Sequence, residues 1–186
     1  MPFADAVIVA AGAGLRMGGV DKSAIVIGGR PMLRWAVDAM RAAASVRRVV
    51  VVTAAERVAS VRALPWLPAD VGVIAGGERR QDSVAAGVRA TDAEVVLVHD
   101  AARPLASSSL ADRVAEAAST HGAAIPVLPV PDSLKRVADG IVTAAVDRAG
   151  VVRAQTPQGA RRELLLRAVD ALAGGPETFG LSLIHI

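Results

Sequence analysis

Two rhythms alternate along the first half of the chain. Short runs without charge, Val7-Ile8-Val9, Val49 to Val52, Val71 to Ala75 and Val95 to Val98, are rich in β-branched residues. Such runs suit strands buried on both faces of a parallel sheet. Between them lie stretches with helical spacing. Arg30-Pro31 opens the first, with proline in a first-turn position, and Leu33, Val37, Met40 and Ala44 follow on one face. That face reads as core, so Met40 and Trp35 need no functional role. A second helical stretch runs from about Glu56 to Leu64 and is broken by Pro65 and Pro68, and a third carries the sequence AAGVRA after Ser83. Uninterrupted alternation of strand and helix predicts an α/β fold, a mostly parallel sheet between two helical layers joined by right-handed crossovers. Ligands bind such sheets at the carboxyl ends of the strands. The loops after Val9, Ala75 and Val98 should therefore share one rim.

The rhythm changes in the second half. Ser109 and Asp112 open a helix in an arrangement like a capping box, with Asp in place of Glu or Gln. Ala124 to Leu128 reads as a strand, and Pro126, Pro129 and Pro131 are closely spaced in and after it. Asp139-Gly140 then separates Lys135-Arg136-Val137 from Ile141-Val142-Thr143, a hairpin signal. This hairpin has too few large apolar residues for a core of its own. An arm packed on a second subunit explains it, and a loose surface insertion is the alternative. Ala160 to Ala173 reads as an amphipathic helix stopped by Gly174-Gly175-Pro176.

Composition narrows the class. The 186 residues suffice for one domain with a real core, and 53% are hydrophobic, mostly alanine and valine. No apolar run approaches a membrane span, and the start MPFADAV lacks the pattern of a secretory signal. Cysteine is absent, which excludes disulfides and thiolate chemistry. These features fit a cytoplasmic protein. Net charge is only +3, aromatics are 2%, and no basic run exceeds two residues, so nucleic-acid binding is disfavoured. Lysine occurs only at Lys22 and Lys135 in an arginine-rich chain. A compact ammonium kept at two sites points weakly to a specific task.

The candidate chemistry sits in three loops. After Val9 comes Ala10-Ala11-Gly12-Ala13-Gly14, with no side chain larger than methyl, then Arg16 and Lys22. A strand, a small-residue loop and two cations can cradle a polyphosphate, although a glycine turn with two solvated cations would read the same way. The Walker spacing fails because Asp21 precedes Lys22-Ser23, and the dinucleotide fingerprint fails at Met17. The second loop, Gly76-Gly77-Glu78-Arg79-Arg80-Gln81-Asp82-Ser83, leads into a helix that Asp82 or Ser83 could cap. The third is His99-Asp100-Ala101-Ala102-Arg103-Pro104. A carboxylate at a strand end on the rim of a phosphate loop suits a magnesium ligand. His99 reads as a buried histidine satisfying a backbone carbonyl.

The first loop resembles the signature of sugar-phosphate nucleotidyltransferases, A-A-G-x-G-x-R-M with a lysine shortly after. With G-G-x-x-R-x-x-S, V-H-D-A-A-R-P, Val146-Asp147-Arg148 and Thr156-Pro157-Gln158, the chain resembles the 2-C-methyl-D-erythritol 4-phosphate cytidylyltransferase family over about residues 5–178. Asp21 stands where the family usually has proline, and Ser133 where it commonly has threonine. The resemblance implies a three-layer, Rossmann-like sandwich with a projecting β-arm over about 130–152, swapped in a homodimer. It implies transfer of CMP from CTP to methylerythritol phosphate, with magnesium held by Asp100. Arg16 and Lys22 would stabilise the transition state. Ala10, Ala11, Gly12, Gly77, Ser83, Asp100 and Ala101 would hold the nucleotide. Arg103, Ser133, Arg148 and Thr156 would face the sugar phosphate, and Arg148, reaching in from the partner subunit to position it, would join Arg16 and Lys22 as a catalytic residue.

The family pattern continues beyond Thr178 with an acidic loop, a strand bearing a further lysine and a closing helix. This chain instead reads FGLSLIHI. The expectation is a domain over 1–178 lacking its C-terminal part, a non-native tail over 179–186, and weak or no activity. The rivals are a ribitol-5-phosphate cytidylyltransferase, disfavoured by V-D-R-x-G with T-P-Q, and a dimeric nucleotide-binding protein without turnover.

Overall fold

The computed structural model describes residues 1–12 and 22–172. Arg16, the remainder of its loop, Thr178 and the LSLIHI tail lie outside the described residues. Strands β1 (Ala4–Val9), β4 (Val46–Thr53), β5 (Gly72–Ala75) and β6 (Val95–Asp100) form the parallel part of a six-stranded sheet. Two antiparallel strands extend it, β12 (Gln158–Arg161) beside β6 and β7 (Ala123–Ala124) at the edge, giving the order β5-β4-β1-β6-β12-β7. A two-residue pair, β2 (Val26–Ile27) with β3 (Arg30–Pro31), lies outside the sheet.

Among the described residues, five helices pack with these strands: α1 (Met32–Arg41), α2 (Val58–Arg62), α3 (Arg80–Arg89), α4 (Ser108–His121) and α5 (Arg162–Leu172). The alternation of side chains along each buried strand divides the core in two. Ala6, Ile8, Val49, Val51 and Leu97 pack with Leu33, Val37, Met40 and Val114 of α1 and α4. Val7, Val50, Val52, Val96 and Val98 pack with Val84 and Val88 of α3 and Leu165 of α5. The expected α/β sandwich is therefore present, with both sheet faces covered. Helix α3 lies close on the sheet at Gly87, where an added Cβ would fall 2.3 Å from Val7 Cγ1 and 3.1 Å from Val52 Cγ2.

At the pole away from the strands' carboxyl ends, Asp5 is a fully buried carboxylate. It accepts from Arg47 Nε at 3.0 Å and from the Asp92 and Ala93 amides at 3.1 Å each. Burial of this charge is tolerable because ion pair and backbone donors together replace its water. Among the described residues, no helix is long and apolar enough to cross a membrane.

Several local expectations are corrected. Helix α1 ends at Arg41, so Ala44 is exposed beyond it and Ala36 and Ala43 join the core instead. The stretch from Glu56 is a 3-10 turn, Ala55–Arg57, followed by the short α2. Helix α3 starts at Arg80, ahead of AAGVRA; Asp82 sits in its first turn and accepts from the Arg79 amide at 3.2 Å, while Ser83 lies inside the helix and is not its cap. The cap of α4 is Ser107, whose Oγ accepts from the Leu110 amide at 3.2 Å. Asp112 instead accepts from the Ser45 amide and hydroxyl, at 2.8 and 2.6 Å, and ties α4 to the turn after α1. The expected strand at 124–128 is two strands, because Pro126 has no N–H for a ladder. β7 stays in the main sheet and β8 (Val127–Pro129) pairs with β11 (Val152–Ala154) outside it. Helix α5 begins at Arg162, since Ala160 and Arg161 belong to β12.

The hairpin forms as the Asp-Gly signal requires. β9 (Leu134–Ala138) and β10 (Ile141–Val146) pair antiparallel, and Asp139 and Gly140 both take positive φ, 50° and 79°. Val137, Ile141 and Val142 are 57%, 69% and 60% exposed on it.

Candidate functional site

The carboxyl ends of β1, β5 and β6 open into a cleft of about 530 Å³. Its floor continues the sheet, since the Ala10 amide donates to Val52 O at 2.7 Å and the Ala101 amide to Val9 O at 3.1 Å. One wall is Ala10, Ala11 and Gly12, where small side chains leave backbone open to a ligand. The second is Gly77, Glu78, Arg79, Arg80 and Ser83, and the third runs from Asp100 to Arg103. Lys22, in a 3-10 turn spanning Lys22–Ala24, completes the lining. The three loops expected on one rim do meet. The structure brings together Ala10, Ala11, Gly12, Lys22, Gly77, Ser83, Asp100, Ala101 and Arg103 among the residues singled out from the sequence. Among the described lining residues, four are cations and two are carboxylates, so the cleft favours an anion.

Helix α3 presents its first turn to this cleft. Arg79 donates from Nε and Nη2 to the two oxygens of Asp82, at 3.0 and 2.8 Å. That hydrogen bond holds the Asp82 carboxyl below the usual carboxylate range and the Arg79 guanidinium above its own. Ser83 is buried, with its hydroxyl donating at 3.3 Å to Gly77 O. The turn is tight enough that a Cβ on Gly77 would fall 2.4 Å from Asp82 Cβ.

Asp100 is gripped from two sides. Arg80 Nε and Nη2 donate to its Oδ1 at 3.1 and 2.7 Å, and Arg103 Nε lies 3.5 Å from its Oδ2. Behind it, His99 is fully buried. The Arg103 carbonyl can only accept, so it takes the hydrogen of His99 Nε2 at 3.2 Å. Nδ1 then accepts from the Thr156 hydroxyl at 2.9 Å, and Thr156 Oγ1 accepts from the Asp100 amide at 3.3 Å. Burial pushes the imidazole down to about 4, against a smaller opposing pull from Asp100. The ring is therefore neutral at physiological pH, and the reading of His99 as a satisfied core residue agrees with this geometry.

Three residues expected near the sugar phosphate lie elsewhere in this single chain. Thr156 is 5% exposed and its hydroxyl is committed to His99 and Asp100, so here it supports the rim from behind. Arg148 donates to Pro131 O beside a second hollow, lined by Pro129, Val130, Pro131 and residues 147–152 on the arm. Ser133 is exposed on the same arm. Arg80 is the arginine of G-G-x-x-R-x-x-S, but the sequence reading gave it no role. Its signal was the arginine three residues before Ser83, which becomes informative only once α3 starts at Arg80.

Among the described residues there is no group of three or more histidine, aspartate or glutamate side chains that could hold a metal ion. Asp100 alone fits as one oxygen ligand to an ion that takes its other ligands from elsewhere.

Comparison with known proteins agrees with this architecture. The family model described as "IspD: 2-C-methyl-D-erythritol 4-phosphate cytidylyltransferase" matches residues 4–180. A 2-C-methyl-D-erythritol 4-phosphate cytidylyltransferase of Rhodococcus jostii is 47% identical over 173 residues, covering 91% of this chain and 76% of that protein. A bifunctional IspD/IspF enzyme of an Anaeromyxobacter species is 46% identical over 172 residues, covering 89% of this chain and 44% of its own length. The chain thus spans less than half of that bifunctional relative and about three quarters of the Rhodococcus protein. The crystal structure of the cytidylyltransferase from Thermus thermophilus superposes with a TM-score of 0.76 at 37% identity, over 92% of this chain and 76% of that one. A 4-diphosphocytidyl-2C-methyl-D-erythritol synthase from Anaerococcus prevotii gives 0.82 at 26% identity, over 97% and 79%.

Proposed function

The chain belongs to the 2-C-methyl-D-erythritol 4-phosphate cytidylyltransferase family, and from that premise we propose that it transfers CMP from CTP to 2-C-methyl-D-erythritol 4-phosphate. A phosphate oxygen of the acceptor attacks the α-phosphorus of CTP, the new P–O bond forms, and the bond to pyrophosphate breaks as pyrophosphate leaves. No covalent enzyme intermediate is required. The protein contributes positioning and charge stabilisation. The observation that carries this reading is the anion-favouring cleft at the carboxyl ends of β1, β5 and β6, walled by methyl-sized residues on one side and by Lys22, Arg80 and Arg103 on others.

In this reading Lys22, together with Arg16 outside the described residues, stabilises negative charge on the phosphates in the transition state. Ala10, Ala11, Gly12 and Ala101 offer close backbone contact to the nucleotide, and Gly77 with Ser83 faces the cytosine edge. Magnesium, when bound to the triphosphate, withdraws charge from the phosphate oxygens, and Asp100 is the described side chain suited to hold it. Arg103 is directed at the acceptor phosphate. Thr156 acts on that acceptor indirectly, through Asp100.

The arm and its stem, from Val127 to Ala154, form the dimerisation element in this reading. Exposed Val137, Ile141 and Val142 give it an apolar surface that a second copy would cover. Arg148 and Ser133 would then serve the partner's cleft. The proposed location is the cytoplasm.

The deciding experiment is steady-state pyrophosphate release from CTP with each sugar phosphate in turn. Release with methylerythritol phosphate at about a hundredfold the rate with ribitol 5-phosphate is the expected result. The reverse preference would move the assignment to the ribitol enzyme. CTP binding without release under either acceptor would reduce the chain to a nucleotide-binding protein.

A further inference from the structure

Arg80 holds Asp100 in a geometry that is incomplete for a guanidinium. Two of its nitrogens, Nε and Nη2, converge on the single oxygen Oδ1 at 3.1 and 2.7 Å. The parallel fork, with one nitrogen on each oxygen, is not formed. Its third nitrogen, Nη1, is buried and has no hydrogen-bond partner among the described residues. An unpaired buried donor is unfavourable, and two bonds to one oxygen gain less than a true bidentate pair. Both side chains are only partly covered, at 35% and 29% exposed, so the contact can open without disturbing either core. Arg103 faces the other oxygen at 3.5 Å. The carboxylate best suited to a divalent cation is thus faced by positive charge on both oxygens.

We propose that Arg80 masks Asp100 from divalent cations in the empty protein and gives way to one that arrives on a nucleotide. This inference rests on the nucleotidyl-transfer reading above and deepens it. A triphosphate in the cleft supplies acceptors for all three guanidinium nitrogens, including the one now unpaired. Arg80 then moves from the carboxylate to the phosphates, and Oδ1 becomes free for the ion. The cation therefore binds poorly by itself and well in company with CTP. Arg80 sets that order without taking part in bond making.

The test titrates the full chain with Mn²⁺ alone, following the free-ion resonance signal. Arg80→Gln should bind Mn²⁺ at least about tenfold more tightly than the native chain, because a unit charge has been removed from beside the ligand. Arg80→Lys, which keeps the charge without the fork, should fall between them and guards against a folding defect in the first variant. The gain should vanish in the double variant Arg80→Gln/Asp100→Asn. Equal Mn²⁺ affinity in the native chain and both single variants, all with native melting curves, would overturn the proposal. So would a gain that survives loss of the Asp100 carboxylate. Titration with metal-free CTP tests the underlying reading separately. Native binding that weakens in Arg80→Gln supports both. Failure of the native chain to bind CTP removes the nucleotide reading, while the Mn²⁺ arm still decides whether Arg80 masks Asp100.

Discussion

His99 carries a consequence for stability that its burial alone determines. In the unfolded chain its imidazole titrates near 6.5, and in the fold near 4. Between those values the unfolded chain binds a proton that the fold excludes, so stability falls as pH drops through this window. The full difference is about 3 kcal/mol, present above the unfolded value and lost at the folded one. Urea midpoints of the native chain should fall between about pH 7 and about pH 5, and His99→Asn should flatten that slope. An unchanged slope in the variant would assign the acid sensitivity to other groups. Lys22 bears on rate instead. Lys22→Ala should lower turnover about a hundredfold while changing CTP affinity little, if the ammonium acts on charge developed in the transition state. A variant with raised Michaelis constant and native turnover would make Lys22 a ground-state contact. At this scale the position of Asp100 on the rim was legible, because it ends the apolar run of β6. The contacts of Thr156 and Arg80 with Asp100 were not legible. Their partners are 56 and 20 residues away, and nothing local encodes those meetings.

Among the elements, α3 is the one whose seating the site depends on, because its first turn bears Arg80, Asp82 and Ser83. Gly87 permits that seating. Gly87→Ala should destabilise the chain by about 1–3 kcal/mol despite alanine's better helix propensity, since the added methyl meets Val7. Chemical denaturation checks this, and a neutral or stabilising result would mean that α3 shifts freely. The arm allows a sharper test. If Arg148 serves the partner's cleft, then mixing Arg148→Ala subunits with Lys22→Ala subunits yields mixed dimers with one intact site. Activity should recover to about a quarter of native, from half the dimers being mixed and half their sites intact. No recovery after subunit exchange would place Arg148 in its own cleft. Elements with strong local patterns were legible: the four buried parallel strands, helix α1 and the Asp-Gly hairpin. β12 was not, because Gln158-Gly159-Ala160-Arg161 has neither an apolar run nor an alternation, and its place comes from the gap beside β6. The start of α4 was misread for a related reason. Ser107, Ser108 and Ser109 are equivalent as local signals, and the attachment of Asp112 to Ser45 selects among them.

At the scale of the molecule, the two cores and the buried Asp5 cluster hold the body together at the pole opposite the cleft, while the arm leaves that body with apolar residues uncovered. A docked arm makes apparent stability depend on protein concentration by mass action. The melting temperature should therefore rise with protein concentration across a hundredfold range, and Ile141→Asp should abolish the rise. A melting temperature independent of concentration in the native chain would argue for a monomer. The antiparallel direction of β12 adds a mechanical consequence. The parallel strands bring the chain to the rim at their ends, but β12 starts there, just after the arm's last strand finishes at Ala154. Two residues later the Thr156 hydroxyl receives the Asp100 amide. Stem, hydroxyl and carboxylate are thus links of one short lever. A displacement of the arm's stem has almost no slack in which to dissipate before it reaches the groups that line the cleft.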